Sequence, residues 1–195
     1  MNRRDSIIAL SMLCASLPLA LYSKDDGTLH IQSDSEEVKF RIGKDAFMLR
    51  PNSQIELFHD GLFTKALTLV AGGVMGVFGG GEKIITTKTF TAGIRGTGLY
   101  LQEYANDAVY SCLCYGLGDY HNAKTNEVLL SLESTYHDKP VQIVQSKSGK
   151  IEYQISKLNN HNDDELRSLE KMCDRVVPFE DFLKAQHAKG SSHSY

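Results

Sequence analysis

Two cysteines and two histidines are the residues of this sequence best suited to chemistry. Cys112 and Cys114 lie two positions apart in the run DAVYSCLCYG, while His137 and His161 follow in YHDKP and NNHND. Residues two apart in a β-strand point to the same face of the sheet, so both thiols would face one partner. Two thiolates and two imidazoles suit a tetrahedral transition metal ion such as zinc, copper or iron. A Cys₂His₂ metal site is therefore one hypothesis for this chain.

The same cysteines allow other interpretations. Cys112 and Cys114 would be about 6.5 Å apart along a strand, so a disulfide between them would be strained. They can instead be packing residues, or one of them can pair with Cys173, which otherwise fits a helix core. Nothing in the sequence matches a compact zinc-finger spacing or the C-x-x-C-H motif of a c-type haem. If a metal is bound, Asp138 and Asp163 are the candidates to orient the neighbouring histidines.

A thiol hydrolase is the enzymatic alternative. Cys112 or Cys114, together with His137 and an aspartate, would supply a nucleophile, a base and an orienting group. The sequence contains no G-x-S-x-G motif or comparable hydrolase signature. We therefore predict a non-enzymatic protein without catalytic residues.

Short β-strands are the elements expected to position these side chains. Alternating apolar and polar runs fill residues 28–58 and recur up to residue 158, which predicts a stacked or meandering β-sheet, solenoid-like or sandwich-like. Asn162 followed by Glu165 indicates the start of a helix, and Pro178 is expected to stop it. The predicted organisation is mainly β, with a β domain at 28–158, a short helical segment at 159–187 and a disordered tail at 188–195.

A glycine-rich run, GGVMGVFGGG, occupies residues 72–81. A phosphate-binding loop would continue with Gly-Lys-Ser/Thr, and this run does not. Because glycine tolerates positive φ and close backbone approach, we predict a flexible hairpin or a close backbone crossing here.

The first 23 residues are predicted to be an export signal. Arg3 and Arg4 precede an apolar run, as in twin-arginine signals, although an ordinary secretory signal with two incidental arginines remains the alternative. Cleavage is expected near Ser23, and an uncleaved signal would provide the only membrane attachment. We therefore expect a periplasmic protein. The formal charge of −3 and the lack of a basic run give no footprint for nucleic acid.

The segment from Thr89 to Leu101, TFTAGIRGTGLYL, resembles the FecR-like domain, a periplasmic sensing module. That family has a strand, an Ala or Gly turn, and then Arg-Gly-Thr leading into another strand. The upstream run LRPNSQIELFHDGLFTKALTLVAGGVMGVF is also similar, so the resemblance spans about residues 38–116. The matching motif residues are Gly93, Arg95, Gly96 and Thr97.

This resemblance implies a mostly β fold and a regulatory rather than catalytic role. FecR-like regulators carry a cytoplasmic domain that holds a sigma factor, whereas here only Met1 to Asp5 precede the apolar run. The resemblance therefore implies the outer module alone, which would bind a small ligand or a partner protein in the periplasm. Arg95 is expected to pair with a carboxylate or with turn carbonyls, and an anionic ligand is the alternative.

Overall fold

The computed structural model describes residues 19–23, 27–146 and 148–188, and most of them belong to β-strands. Arg3, Arg4 and the greater part of the predicted export signal lie outside these residues, as do positions 189–195 of the predicted tail. The strands are β1 (Leu19–Ser23), β2 (Thr28–Ser33), β3 (Val38–Ile42), β4 (Asp45–Leu49), β5 (Gln54–His59), β6 (Thr64–Ala71), β7 (Gly73–Val77), β8 (Glu82–Thr86), β9 (Phe90–Glu103), β10 (Ala108–Asn122), β11 (Val128–Ser134), β12 (Val141–Gln145) and β13 (Ile151–Ile155), followed by the helices α1 (Asp163–Met172) and α2 (Glu180–Ala188).

The described strands form one branched sheet in the order β1-β2-β5-β6-β8-β9-β10-β12-β13. The pairing is antiparallel except between β6 and β8. Two long strands carry the branches: β9 pairs with β8 along its first half and with β7 along its second, and β10 pairs with β12 and then with β11. β7 also pairs with β4, and β4 pairs with β3. The prediction of a mainly β fold with a C-terminal helical appendage is confirmed.

Apolar side chains on the inner face of the strands β2–β13 form one large core. Alternation along β10 decides which side chains enter it. Val109 and Leu113 point into this core, whereas Tyr110, Cys112 and Cys114 point to the opposite face, as the alternation in the sequence predicts.

The opposite face of β4, β7, β9 and β10 is covered by the two helices, which creates a second core. Helix α1 begins at the N-cap Asn162 with a capping box to Glu165, as predicted, and buries Leu166 and Leu169 against the sheet. It ends at Met172, with Cys173 as its C-cap, several residues before Pro178. Neither described helix is long and apolar enough to span a membrane.

Two local predictions need correction. The segment TFTAGIRGTGLYL is not two strands joined by a turn, because Phe90–Glu103 forms one continuous strand that pairs on both sides. Its irregularity consists of two successive register shifts against β10, and the second of them includes Gly96, whose φ is +57°. The glycine-rich run likewise contains a buried central strand, β7, rather than a flexible hairpin. A Cβ atom on Gly76 would lie 2.8 Å from the Phe78 ring, so close approach explains that glycine.

Candidate metal centre

The four residues with metal-ligand chemistry lie together on the helix-covered face of the sheet. Cys112 and Cys114 lie in β10, His137 lies in the loop after β11, and His161 lies in the loop before α1. One ligand atom from each residue lies within 4.8 Å of the other three, and all four residues are buried. The fold thus brings together side chains from three separate segments.

Local structure fixes the two loop histidines. The backbone N–H of His137 donates to the Cys114 carbonyl at 2.9 Å, and the φ of His137 is +48°, which is uncommon for a residue with a side chain. The Asp138 carboxylate accepts the backbone N–H of Thr135 at 2.6 Å and so stabilises this turn rather than the imidazole. His161 stacks on the Tyr100 ring, with centroids 4.6 Å apart.

Four of the six distances between the ligand atoms are close to those of a tetrahedral site, and the other two do not exceed 4.8 Å. Cys112 Sγ lies 3.9 Å from Cys114 Sγ and 3.3 Å from His137 Nδ1. His161 Nε2 lies 3.5 Å from Cys114 Sγ and 3.3 Å from His137 Nδ1. Ordinary zinc bond lengths in a tetrahedron give separations of about 3.8 Å for S···S, about 3.6 Å for S···N and about 3.4 Å for N···N. The four side chains therefore surround a space of the size that a zinc ion needs.

The outer nitrogen of each histidine faces an oxygen acceptor. His161 Nδ1 lies 2.7 Å from the Asn159 carbonyl, and His137 Nε2 lies 3.2 Å from Asp163 Oδ1. A carbonyl can only accept, so the His161 proton is assigned to Nδ1 and the lone pair on Nε2 faces the cluster. An ionised Asp163 fixes His137 in the corresponding way, and Tyr136 donates to the other Asp163 oxygen at 2.8 Å. Such outer partners are a regular feature of metal-binding histidines.

The electrostatics of the cluster favour one thiolate. Burial opposes ionisation of Cys112, but hydrogen bonds with Cys114, His137 and His161 outweigh it and hold the pKa of the Cys112 thiol well below its ordinary value. Burial, together with the neighbouring Cys112, raises the pKa of the Cys114 thiol. Burial also disfavours a charged His137, yet its hydrogen bonds with Asp163 and Cys112 raise the His137 pKa to about 9. Positive charge is therefore stabilised beside the Cys112 sulfur.

Cys112, His137 and Asp163 also make the sequence of contacts found in a thiol triad. Catalysis would require a substrate carbonyl to reach the sulfur. Cys112 is 0% exposed, and the nearby depression of about 740 Å³ is lined by Tyr136, His161 and Asp163 but not by the cysteine. In this conformation the Cys112 sulfur is enclosed beside the other three residues of the cluster, and a substrate cannot reach it.

The motif residues of the AGIRGTG segment have partners other than the four residues of the cluster. The Arg95 side chain is largely exposed and pairs with Glu82 at 3.4 Å, so its partner is a carboxylate of the neighbouring strand β8. Thr97 is buried and donates to the Leu117 carbonyl at 3.4 Å. Gly93 and Gly96 lie in β9. Cys173 is a free buried cysteine at the end of α1 and makes no disulfide.

Arg50 is a residue of this region that the sequence analysis did not identify. It follows β4 and donates to both carboxylate oxygens of Glu165, at 2.7 and 2.9 Å, and to Glu37 at 2.7 Å. Its guanidinium also lies over the Tyr100 ring, 5.4 Å from the centroid. Arg50 thereby ties the N-terminus of α1 to the sheet. No local pattern in the sequence links an arginine after a strand to a distant capping glutamate.

The fold has counterparts among solved structures, although no protein-family model and no curated protein matches this chain. Two crystal structures of a proposed anti-sigma factor from Parabacteroides distasonis ATCC 8503 are similar. One has a TM-score of 0.54 at 10% identity and covers 86% of this chain and 94% of its own. The other has a TM-score of 0.51 at 12% identity, with coverages of 85% and 94%. At these identities, the likeness shows that this chain shares their fold.

Proposed function

We propose that this chain is a metal-binding protein whose Cys112, Cys114, His137 and His161 side chains hold one zinc ion. The observation that carries the proposal is the convergence of four buried ligand atoms within 4.8 Å of one another. Tetrahedral sites with two sulfur and two nitrogen ligands are characteristic of zinc. The outer contacts of both histidines support the same assignment, because they direct the inner lone pairs toward a common point.

The chemistry of such a centre is structural or sensory rather than catalytic. Catalytic zinc sites keep an open position for water or substrate, whereas four protein ligands complete the tetrahedron. Enclosure of the sulfurs by the sheet and the helices supports the same interpretation. We therefore propose a non-enzymatic role for the zinc ion.

Elemental analysis of the exported protein tests the metal proposal. We expect about one zinc per chain in the natural protein. The double variant Cys112→Ser/Cys114→Ser should contain almost none, while Cys173→Ser, which changes a cysteine outside the cluster, should keep the full amount. Negligible metal in all three proteins would refute the proposal. Copper or iron in place of zinc would refute the choice of metal but not the site.

We also propose that the chain is an exported, FecR-like regulatory module that binds a partner protein or a small ligand in the periplasm. The AGIRGTG segment and the fold shared with a proposed anti-sigma factor support this second proposal. Fractionation of cells that express the natural chain and an Arg3→Lys/Arg4→Lys variant tests the export step. If the signal is of the twin-arginine type, the natural protein should be found in the periplasm and the variant in the cytoplasm. Cytoplasmic location of both would contradict export.

A further inference from the structure

We infer that metal binding controls the docking of the C-terminal helical segment, residues 159–188, onto the sheet. The inference rests on the proposed metal centre and assigns it a consequence for the rest of the molecule. In the metal-bound protein the segment is held against β4, β7, β9 and β10. In the metal-free protein it detaches from its N-terminal end.

The ligands of the centre belong to both sides of this contact. Cys112 and Cys114 are fixed in the sheet, whereas His161 belongs to the helical segment. The segment also supplies Asp163, whose carboxylate binds the outer nitrogen of His137 at 3.2 Å. A metal ion bound by these residues is therefore a cross-link between the sheet and the first turn of α1.

Without a cation, the cluster holds the helical segment only weakly through His161. His161 uses its Nδ1–H on the Asn159 carbonyl, so its inner Nε2 is an acceptor, 3.5 Å from the Cys114 sulfur. A thiol is a weak hydrogen-bond donor. The closer pairing, between His137 and the Cys112 sulfur at 3.3 Å, joins the loop after β11 to the sheet and involves no residue of the segment. A metal ion would therefore replace a weak contact of His161 with a coordinate bond.

The segment can move without disturbing the sheet. Every backbone–backbone hydrogen bond described for residues 159–188 has its partner within that segment. Its attachment to the rest of the chain consists of contacts that involve side chains. Arg50 binds Glu165 near the start, and the Glu170 carboxylate accepts from Tyr115 further along. Arginine side chains also bind two carbonyls across this contact, Arg41 that of Met172 and Arg175 that of Lys44. Regions held in this way open locally at a lower free energy than the strands of a core.

Detachment would expose a specific apolar surface. Met48, Met75 and Tyr100 are 0% exposed beneath the segment, and Tyr110 is 2% exposed. Leu169 on the inner face of α1 is also fully buried. Metal binding is thus coupled to the covering of a methionine- and tyrosine-rich face, and by reciprocity tighter docking must strengthen metal binding.

Hydrogen exchange of the full chain, with zinc bound and after removal with a chelator, tests the inference. We expect removal of zinc to accelerate exchange of the α1 amides at least about tenfold more than exchange of the amides in β9 and β10. Unchanged exchange in α1 after verified zinc removal would overturn the inference and leave the metal proposal standing. Equal acceleration throughout the sheet would overturn it too, because the effect would then be global. If the natural chain takes up no zinc, the metal proposal itself fails.

Reciprocity provides an independent measurement on variants that keep every ligand. Leu169→Ala removes a buried side chain from the inner face of α1 and so weakens docking without changing a ligand. It should lower zinc affinity by about fivefold or more. Lys184→Ala, which removes only an exposed ion pair with Asp181 in α2, is the matched control and should bind zinc like the natural chain. Amides in β9 and β10 that remain strongly protected from exchange show that each variant is folded. Equal zinc affinity in Leu169→Ala and the control would contradict the coupling.

Discussion

His137 combines a left-handed backbone with side-chain contacts on both ring nitrogens. Its φ of +48° carries a conformational cost of about 1 kcal/mol or more, which persists only where surrounding contacts fix the residue. Those contacts are the Cys114 carbonyl on its backbone N–H and Asp163 on its outer nitrogen. The turn thus holds the imidazole in the direction of the two sulfurs.

Asp163→Asn should weaken zinc binding by about 10- to 100-fold. The amide removes the negative charge that holds the outer nitrogen of His137, and it leaves all four ligands in place. Competition with a chromophoric chelator measures the affinity. Asp164→Asn, at a neighbouring carboxylate whose partner is Arg167 rather than a ligand, is the control and should change the affinity little. Equal losses in the two variants would show that general helix electrostatics, rather than the contact with His137, is responsible.

Zinc affinity should rise with pH between about 6 and 8, because the ion competes with protons for the same atoms. With the helical segment docked and no metal bound, the hydrogen bonds with Asp163 and Cys112 outweigh burial and raise the pKa of His137 to about 9, so the metal must displace its proton throughout this range. A folded-state pKa above the unfolded value means that protonated His137 stabilises the metal-free protein fully below about pH 6.5. This stabilisation is lost as the pH rises toward 9. The difference in Tm between zinc-bound and metal-free protein should therefore be larger at pH 8 than at pH 6, and an equal difference would contradict this.

At the scale of elements, β9 shows why a short sequence motif does not by itself predict the local structure. Three glycines and an arginine within AGIRGTG favour a turn when they are read alone. In the structure, β10 pairs along one edge of this strand, while β8 and then β7 pair along the other edge. The hydrogen bonds to these three strands override the local preference for a turn. Strand alternation in β10 was predictable because it depends only on the period of the chain.

Gly98 in β9 is required by packing rather than by a turn. A Cβ atom there would lie 2.4 Å from the Tyr115 ring, on the face covered by the helices. Gly98→Ala should lower the free energy of unfolding by about 1–3 kcal/mol, since the ring or the backbone must shift. Gly80→Ala is the matched control, because a Cβ atom at Gly80 meets nothing within 4 Å. Chemical denaturation measures both, and a similar small change in the two variants would contradict the packing argument.

For the molecule as a whole, ligand types were easier to predict than their partners. Cysteines two apart on a strand and histidines in polar loops indicated the four residues that the fold brings together. Asp138 and Asp163 both neighbour a histidine, and only the tertiary structure shows that Asp163 contacts an imidazole while Asp138 caps a turn. Arg50 was missed for the same reason, because its partner belongs to an element that the sequence places far away.

Zinc should stabilise the entire fold. An ion that binds only the native state adds about 2.7 kcal/mol when it is present at a hundred times its Kd. Removal with a chelator should therefore lower Tm, and added zinc should restore it. The Cys112→Ser/Cys114→Ser variant should show the same Tm with and without chelator. A Tm of the natural chain that does not respond to chelator would contradict zinc binding.

The origin of the ligands in three segments also determines when the metal can enter. Cys112 and Cys114 alone make half a site, and the other half forms only after the loop of His137 and the start of α1 have packed on the sheet. The proposed metal would therefore be captured late in folding, in whichever compartment folding is completed. Copper binds nitrogen and sulfur ligands more tightly than zinc, so local availability would decide between them. If the chain is exported, as proposed above, the route of export would thereby select the metal.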